Sequence, residues 1–211
     1  MKIKWHGHAC FEIKNGVTIV TDPHDGKSLG IKPPHVKADI VLVSHDHFDH
    51  NALRIVKGDY VAVKEPGERV VKGVRILGIV TAHDEVNGAK RGKNVVFSFE
   101  LDGIKFCHCG DLGHRLSPDQ IRTLGSVDIL FLPVGGIPTI DIESAREVVK
   151  DINPKIVIPM HFRVAGLSLS IQPVDVFLTG IQEDKILRVG NEIEFAKEDL
   201  PQEMEYWVFS P

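Results

Sequence analysis

Cysteine is scarce in this chain and its number is odd: three in 211 residues. A disulfide scaffold needs pairs, so free thiols in a reducing compartment are the expectation. Met1–Cys10 contains no apolar stretch of the secretory-leader kind, and the chain is therefore expected to be cytoplasmic. No apolar run approaches the ~18 residues of a membrane helix. An excess of positive charge is also missing, because 25 Lys and Arg face 29 Asp and Glu for a net charge of −4. That balance argues against a nucleic-acid sleeve or a polybasic membrane binder. Neither a 20–50-residue repeat, a low-complexity tract nor a Gly/Ser/Pro-rich linker divides the sequence, so one domain over residues 1–211 is expected. A chain of this length buries roughly 70% of its unfolded surface and needs no staples. What is abundant is histidine, with 11 residues.

The first third reads as strands. Cys10–Lys14 alternates, Asn15-Gly16 is a two-residue hairpin turn, and Val17–Thr21 returns to end at Asp22-Pro23. After a Gly- and Pro-containing loop, Asp39–Ser44 is a near-continuous apolar run, as in a strand buried on both faces. Residues 50–57 read as a short helix closed by Gly58. Strands follow over 60–63, 68–71, 74–81 and 94–101, and Asp102-Gly103 turns the chain into 104–109. Beyond that, helix and strand alternate: a helix opened by Ser117-Pro118, a strand at 127–132, an amphipathic helix at 141–152, a strand at 155–159, a helix near 173–179 and short closing strands. Two sheets packed back to back with helices outside, an α/β sandwich, fit this order.

Ser44-His45-Asp46-His47-Phe48-Asp49-His50 is the most informative stretch, with three histidines and two aspartates in six residues directly after a core strand. A merely solvated loop is a poor explanation, because so many adjacent titratable groups at the end of a buried strand are costly unless something binds them. In an extended segment, residues two apart face one side, so His45, His47 and Asp49 are expected to converge, with His50 turning in as a helix starts. Imidazole and carboxylate are ligands for zinc and related first-row metals. Four ligands exceed the three plus water of a mononuclear catalytic site, which points to two adjacent ions.

His45-x-His47-x-Asp49-His50 after an apolar strand resembles the signature of the metallo-β-lactamase fold superfamily. Asp22 after Val17–Thr21, His83 in Thr81-Ala82-His83-Asp84, Asp111 in Cys109-Gly110-Asp111 and His161 in Ile158-Pro159-Met160-His161 match its other elements in order. Gly7-His8-Ala9, Ser44-His45-Asp46-His47, Leu132-Pro133-Val134-Gly135-Gly136 and Ile158–His161 resemble the ascorbate-6-phosphate-lactonase-like branch of Zn-dependent hydrolases. The third motif lacks the Gly-His-Thr-x-Gly wording of glyoxalase II and lactamase relatives, which directs the expectation away from thioesterase and lactamase activity. The resemblance implies a four-layer αββα sandwich with two divalent ions, zinc first and manganese or iron as alternatives. It implies His45, His47 and His83 on one ion, Asp49, His50 and His161 on the other, Asp111 between them, and Asp22 orienting ligand histidines. The implied reaction is hydrolysis of an ester, lactone, amide or phosphodiester by metal-activated water, with Asp49 or a metal-bound water as the carrier of the proton to the leaving group. No Ser or Cys nucleophile triad is evident.

Other positions carry two readings each. His8 is either a rim residue touching substrate or a capped strand-end histidine. Asn87–Asn94, with Lys90, Arg91 and Lys93, is a solvated hairpin tip or an anion-binding lip for a small substrate. Gly135–Thr139 is a tight turn, with Thr139 a substrate contact in the alternative. Cys107-His108-Cys109 lacks a second pair for structural zinc and reads as strand. Trp5 and Phe162 read as core or wall. His24, His35, His108 and His114 receive no role. The rival functions are an iron oxidoreductase on the same fold and a phosphodiesterase or nuclease; a homo-oligomer is compatible with the sequence.

Overall fold

Alternation along the early strands decides the layering. The computed structural model describes all 211 residues, beginning with β1 (Lys2–Trp5), β2 (Phe11–Asn15), β3 (Val17–Thr21), β4 (Ile40–Leu42) and β5 (Val61–Val63). Ile13, Ile19, Ile40 and Leu42 enter the main core, while Cys10, Val20, Val41 and Val43 enter a second, smaller apolar layer on the opposite face. The expectation that the Asp39–Ser44 run is buried on both sides therefore holds. The chain continues with β6 (Gly67–Val71), β7 (Val74–Ala82), β8 (Lys93–Leu101), β9 (Ile104–His108), α1 (Pro118–Leu124), β10 (Ile129–Pro133), α2 (Ile142–Ile152), β11 (Ile156–Met160), α3 (Val174–Leu178), β12 (Ile186–Arg188), β13 (Glu192–Glu194) and β14 (Glu205–Val208).

These strands form two sheets. One is six-stranded in the order β13-β1-β2-β3-β4-β5, and the other eight-stranded in the order β12-β14-β11-β10-β9-β8-β7-β6. Both are mixed: β3-β4-β5 and β9-β10-β11-β14-β12 pair in parallel, and the hairpins pair antiparallel. The turn at Asp102-Gly103 has φ of 51° and 68°, the two positive values that the tight two-residue hairpin requires. Ser117 caps α1 by accepting from the Gln120 N–H, with Pro118 in the first turn as expected. The apolar stripe of α2, Ala145, Val148, Val149 and Ile152, is buried in the main core.

The outer layers are unequal. α2 bridges two parallel strands of the eight-stranded sheet, and α1 packs against β7 of the same sheet. The six-stranded sheet is covered instead by Val36, Ala38, Val56 and their neighbours Leu53, Ile55 and Tyr60. The helix expected over 50–57 is a single 3-10 turn at Leu53–Ile55. Its backbone is diverted elsewhere: the His50 N–H donates to His47 O, and the Ala52 N–H donates to Pro23 O. A regular helix there would rotate His50 away from the residues described next. No helix is long and apolar enough to cross a membrane.

Candidate metal centre

Every motif residue leaves the carboxyl end of a strand. Asp22 follows β3, Ser44–His50 follows β4, His83 follows β7, Asp111 lies just beyond β9, and His161 follows β11. Because β3 and β4 run parallel in one sheet and β9 and β11 run parallel in the other, these ends meet at one edge of the sandwich.

Two separate groups of donors assemble there, each with one nitrogen or oxygen per residue within 4.8 Å of the others: His45, His47 and His83 in one, and His8, Asp49, His50 and His161 in the other; a third set, Asp22, His45 and His50, overlaps both. The rings of the first lie 4.6–5.0 Å apart between centroids. The expected convergence of His45, His47 and Asp49 is thus only half realised. The turn at His47–His50 swings Asp49 across to His50, so alternation is lost after His47. Asp111 stands between the groups. Its Oδ2 is 3.0 Å from His83 Nε2, 3.3 Å from His161 Nε2 and 3.7 Å from His45 Nε2, and its Oδ1 is 3.2 Å from His50 Nε2.

Hydrogen bonds fix which nitrogens are bare. Asp22 accepts the Ser44 N–H at 2.7 Å on Oδ1, and on Oδ2 it accepts the Ser44 hydroxyl at 2.6 Å and His50 Nδ1–H at 2.9 Å. Since the Ser44 proton is given to Asp22, the Ser44 oxygen must accept from His45 Nδ1, 2.8 Å away. Both Nδ1 atoms are then protonated and both Nε2 lone pairs point into the site. His45 Nε2, His50 Nε2, Asp111 Oδ1 and both nitrogens of His161 are buried without a hydrogen-bond partner. Such atoms are costly in an apolar interior and fit a bound cation. Donor separations of 3.0–3.7 Å also match two ligands sharing one ion at ~2.0–2.2 Å. The residues present therefore fit a metal.

Burial opposes ionisation of Asp111, yet the His161 and His50 imidazoles outweigh it and hold the carboxyl well below its usual range. Asp22 is likewise lowered, its hydrogen bond to His50 overcoming burial. Burial keeps His45 down at about 3 and lowers His47 as well. Neutral imidazole is the form that ligates.

Several supporting residues carried no signal in the sequence. Asn94, fully buried at the start of β8, accepts the Asp111 N–H at 3.0 Å and donates to Thr81 Oγ1 and Cys109 O. Gly110 has φ of 55°, and a Cβ there would stand 2.4 Å from Ser44 Cβ, so the strand ends approach this closely only with glycine. Asp84 accepts N–H bonds from Val86, Gly88, Lys90 and Arg91, and these overcome its burial to hold it at about 2. The loop after His83 is thus wound around a buried carboxylate. On it Lys90 pairs with Glu85 at 2.6 Å, while Arg91 and Lys93 are exposed.

His8 is 1% exposed, which places it inside the second donor group and not at a rim. The Thr139 hydroxyl donates to Gly136 O and the residue is buried, which favours the turn reading. His108 donates from Nε2 to Ala9 O and accepts the Gly110 N–H on Nδ1, a bracing role. His114 Nε2 accepts the Ala82 N–H. Trp5 and Phe162 are buried with ring centroids 5.3 Å apart, as core residues.

Residues 2–161 match the family model of the beta-lactamase superfamily domain. A UPF0173 metal-dependent hydrolase of Thermoplasma acidophilum is 33% identical, with 79% of this chain and 85% of that protein covered. A crystal structure from Thermotoga maritima, described as a Zn-dependent hydrolase of the metallo-β-lactamase superfamily, aligns with a TM-score of 0.82 at 42% identity, covering 99% of this chain and 97% of that one. A metallo hydrolase of Ignicoccus hospitalis, at 21% identity and a TM-score of 0.67 over 92% and 99% of the two chains, shares the fold. With its motif residues gathered at one sandwich edge, the chain belongs to the metallo-β-lactamase superfamily and, within it, to the UPF0173 metal-dependent hydrolases.

Proposed function

We propose that the chain hydrolyses a small ester, lactone, amide or phosphodiester with two divalent ions, zinc first among them. His45, His47 and His83 would hold one ion, Asp49, His50 and His161 the other, and Asp111 would serve both. The observation that carries this reading is the position of Asp111, whose carboxylate lies within 3.0–3.7 Å of imidazole nitrogens from both groups. When bound, such a pair supplies activated water near neutral pH and an electrostatic sink for the oxyanion.

The protein's own part is to aim and to move protons. Asp22 and Ser44 hold His45 and His50 in the tautomer that presents Nε2, an orienting role that commonly changes metal affinity tenfold or more. Asp49 is kept ionised: burial opposes its charge, but the neighbouring imidazoles of His8 and His50 hold its carboxyl below the ordinary range. Its Oδ2 faces His8 at 3.1 Å. Oδ1 is the atom left to take the proton of the attacking water and hand it to the leaving group. Arg91 and Lys93, the loop cations not paired as Lys90 is, would meet an anionic group on the substrate.

Metal analysis of purified protein, followed by lactones, phosphodiesters, esters and thioesters assayed with and without chelator, tests the reading. Two equivalents of zinc and chelator-sensitive hydrolysis are expected. With an anionic substrate, Arg91→Ala with Lys93→Ala raises KM several-fold and leaves kcat alone. Iron with oxygen consumption and no hydrolysis would overturn the proposal.

A further inference from the structure

We infer that His8 is itself a metal ligand, a fourth protein donor beside Asp49, His50 and His161, so that one half of the centre is closed by protein while the His45–His47–His83 half keeps an open position. This rests on the two-ion reading above and extends it. His8 Nε2 lies 3.1 Å from Asp49 Oδ2. The His8 ring centroid is 4.1 Å from that of His161 and 4.9 Å from that of His50. One donor atom from each of the four residues falls within 4.8 Å of the rest. A spacing of 3.1 Å suits a hydrogen bond and is also close enough for two ligands on a common ion at ~2.0–2.2 Å.

The corner that carries His8 is built to hold the ring in place. The His8 backbone is left-handed, with φ of 56°, a conformation disfavoured by any residue with a Cβ. His161, its neighbour, shares this feature at 51°. Such strain persists where the surroundings over-determine it, and it clusters at functional sites. Here the surroundings are visible: His8 O accepts from Trp5 Nε1 at 3.1 Å and from the His161 N–H at 3.2 Å. The Cys10 N–H closes the corner on Gly7 O, and His24 Nε2–H donates to His6 O. Every one of these bonds uses backbone oxygens, so the strand corner needs nothing from the imidazole. The ring's 1% exposure also leaves it no surface for substrate. What the ring does face is Asp49, His50 and His161.

The rival role is a hydrogen bond that steadies Asp49, and the test separates the two. In cobalt-loaded protein each metal-bound imidazole contributes one hyperfine-shifted exchangeable N–H proton signal. Six are expected from the wild type, and five from His8→Gln, which keeps an N–H donor for Asp49. The same variant should weaken one of the two cobalt equivalents by more than the roughly 10–100-fold that loss of an outer partner costs. His8→Asn, a residue that tolerates left-handed backbone, should behave alike, and matching melting of the chelated proteins confirms that the corner survives. Five signals in the wild type, or a His8→Gln protein that binds both equivalents as the wild type does, overturns the place given to His8 alone. A wild type that takes up no cobalt overturns the two-ion reading and this inference with it.

Discussion

The two halves of the centre are each built on three imidazoles, with Asp49 added in one, and differ in how much protein surrounds them. In the group His45, His47 and His83, His47 is exposed and sits on the free loop after β4. In the group His8, Asp49, His50 and His161, every member is buried, His50 and His161 completely. The sealed group also takes more support: Asp22 braces His50, the β1–β2 corner carries His8, and the close packing of Gly135 on His161 O leaves no room for a side chain. The contrast is one of enclosure: one group opens to solvent at His47, and the other is buried throughout.

The largest effect should come from breaking the link between the halves. Asp111→Asn is expected to cut hydrolysis on the order of a thousandfold or more, with far-ultraviolet circular dichroism unchanged and bound metal reduced. His47→Ala separates the halves: one metal equivalent should be lost and the other retained after dialysis. Loss of both equivalents would show that the halves are not independent. Asp22→Ala touches both, directly at His50 and through Ser44 at His45, and should weaken metal binding by about 10–100-fold, more strongly in the sealed half. Competition with a chromophoric chelator measures this.

The smallest effect concerns the brace of the sealed half. Burial holds His24 down to about 4 from its ordinary 6.5. Between those values the unfolded chain binds a proton that the native chain refuses, so stability must fall as pH drops through this window and rise as pH rises. For this one residue the change from pH 7 to pH 5 is about 2 kcal/mol. Urea unfolding of chelated protein at the two pH values should show it. His24→Gln should flatten that part of the slope, and an unchanged slope would mean that His24 titrates normally.

Much of this was legible along the chain, for different reasons in different places. The hairpins at Asn15-Gly16 and Asp102-Gly103, the cap at Ser117-Pro118 and the amphipathic helix before Asn153 are local, and local chemistry decides them. The donors His45, His47, Asp49 and His50 stood out because costly residue types crowd directly after a buried strand, and Asp22, His83, Asp111 and His161 followed from the motif order of the family that the cluster resembles. The residues around 50–57 misled, because the helix expected before Gly58 gives way to backbone bonds from His50 to His47 O and from Ala52 to Pro23 O, which turn His50 into the site. Asn94 and Asp84 were silent, since one asparagine or aspartate looks like any other until its backbone partners are in place. For Thr139, read two ways, the bond to the Gly136 carbonyl favours the turn, and Lys90 pairs with Glu85 at the surface.

The sequence by itself determined the residue types, the order of strands and a cluster of metal-ligating donors after a core strand, because periodicity and ligand chemistry are properties of the chain, and the motifs' resemblance to a known family added the hydrolase class. Tertiary structure alone decided how those donors divide into an open and a sealed group. It also decided that His8, some forty positions before Asp49, joins the sealed one. That division depends on where two sheets bring their edges together, a distance that no spacing along the chain encodes.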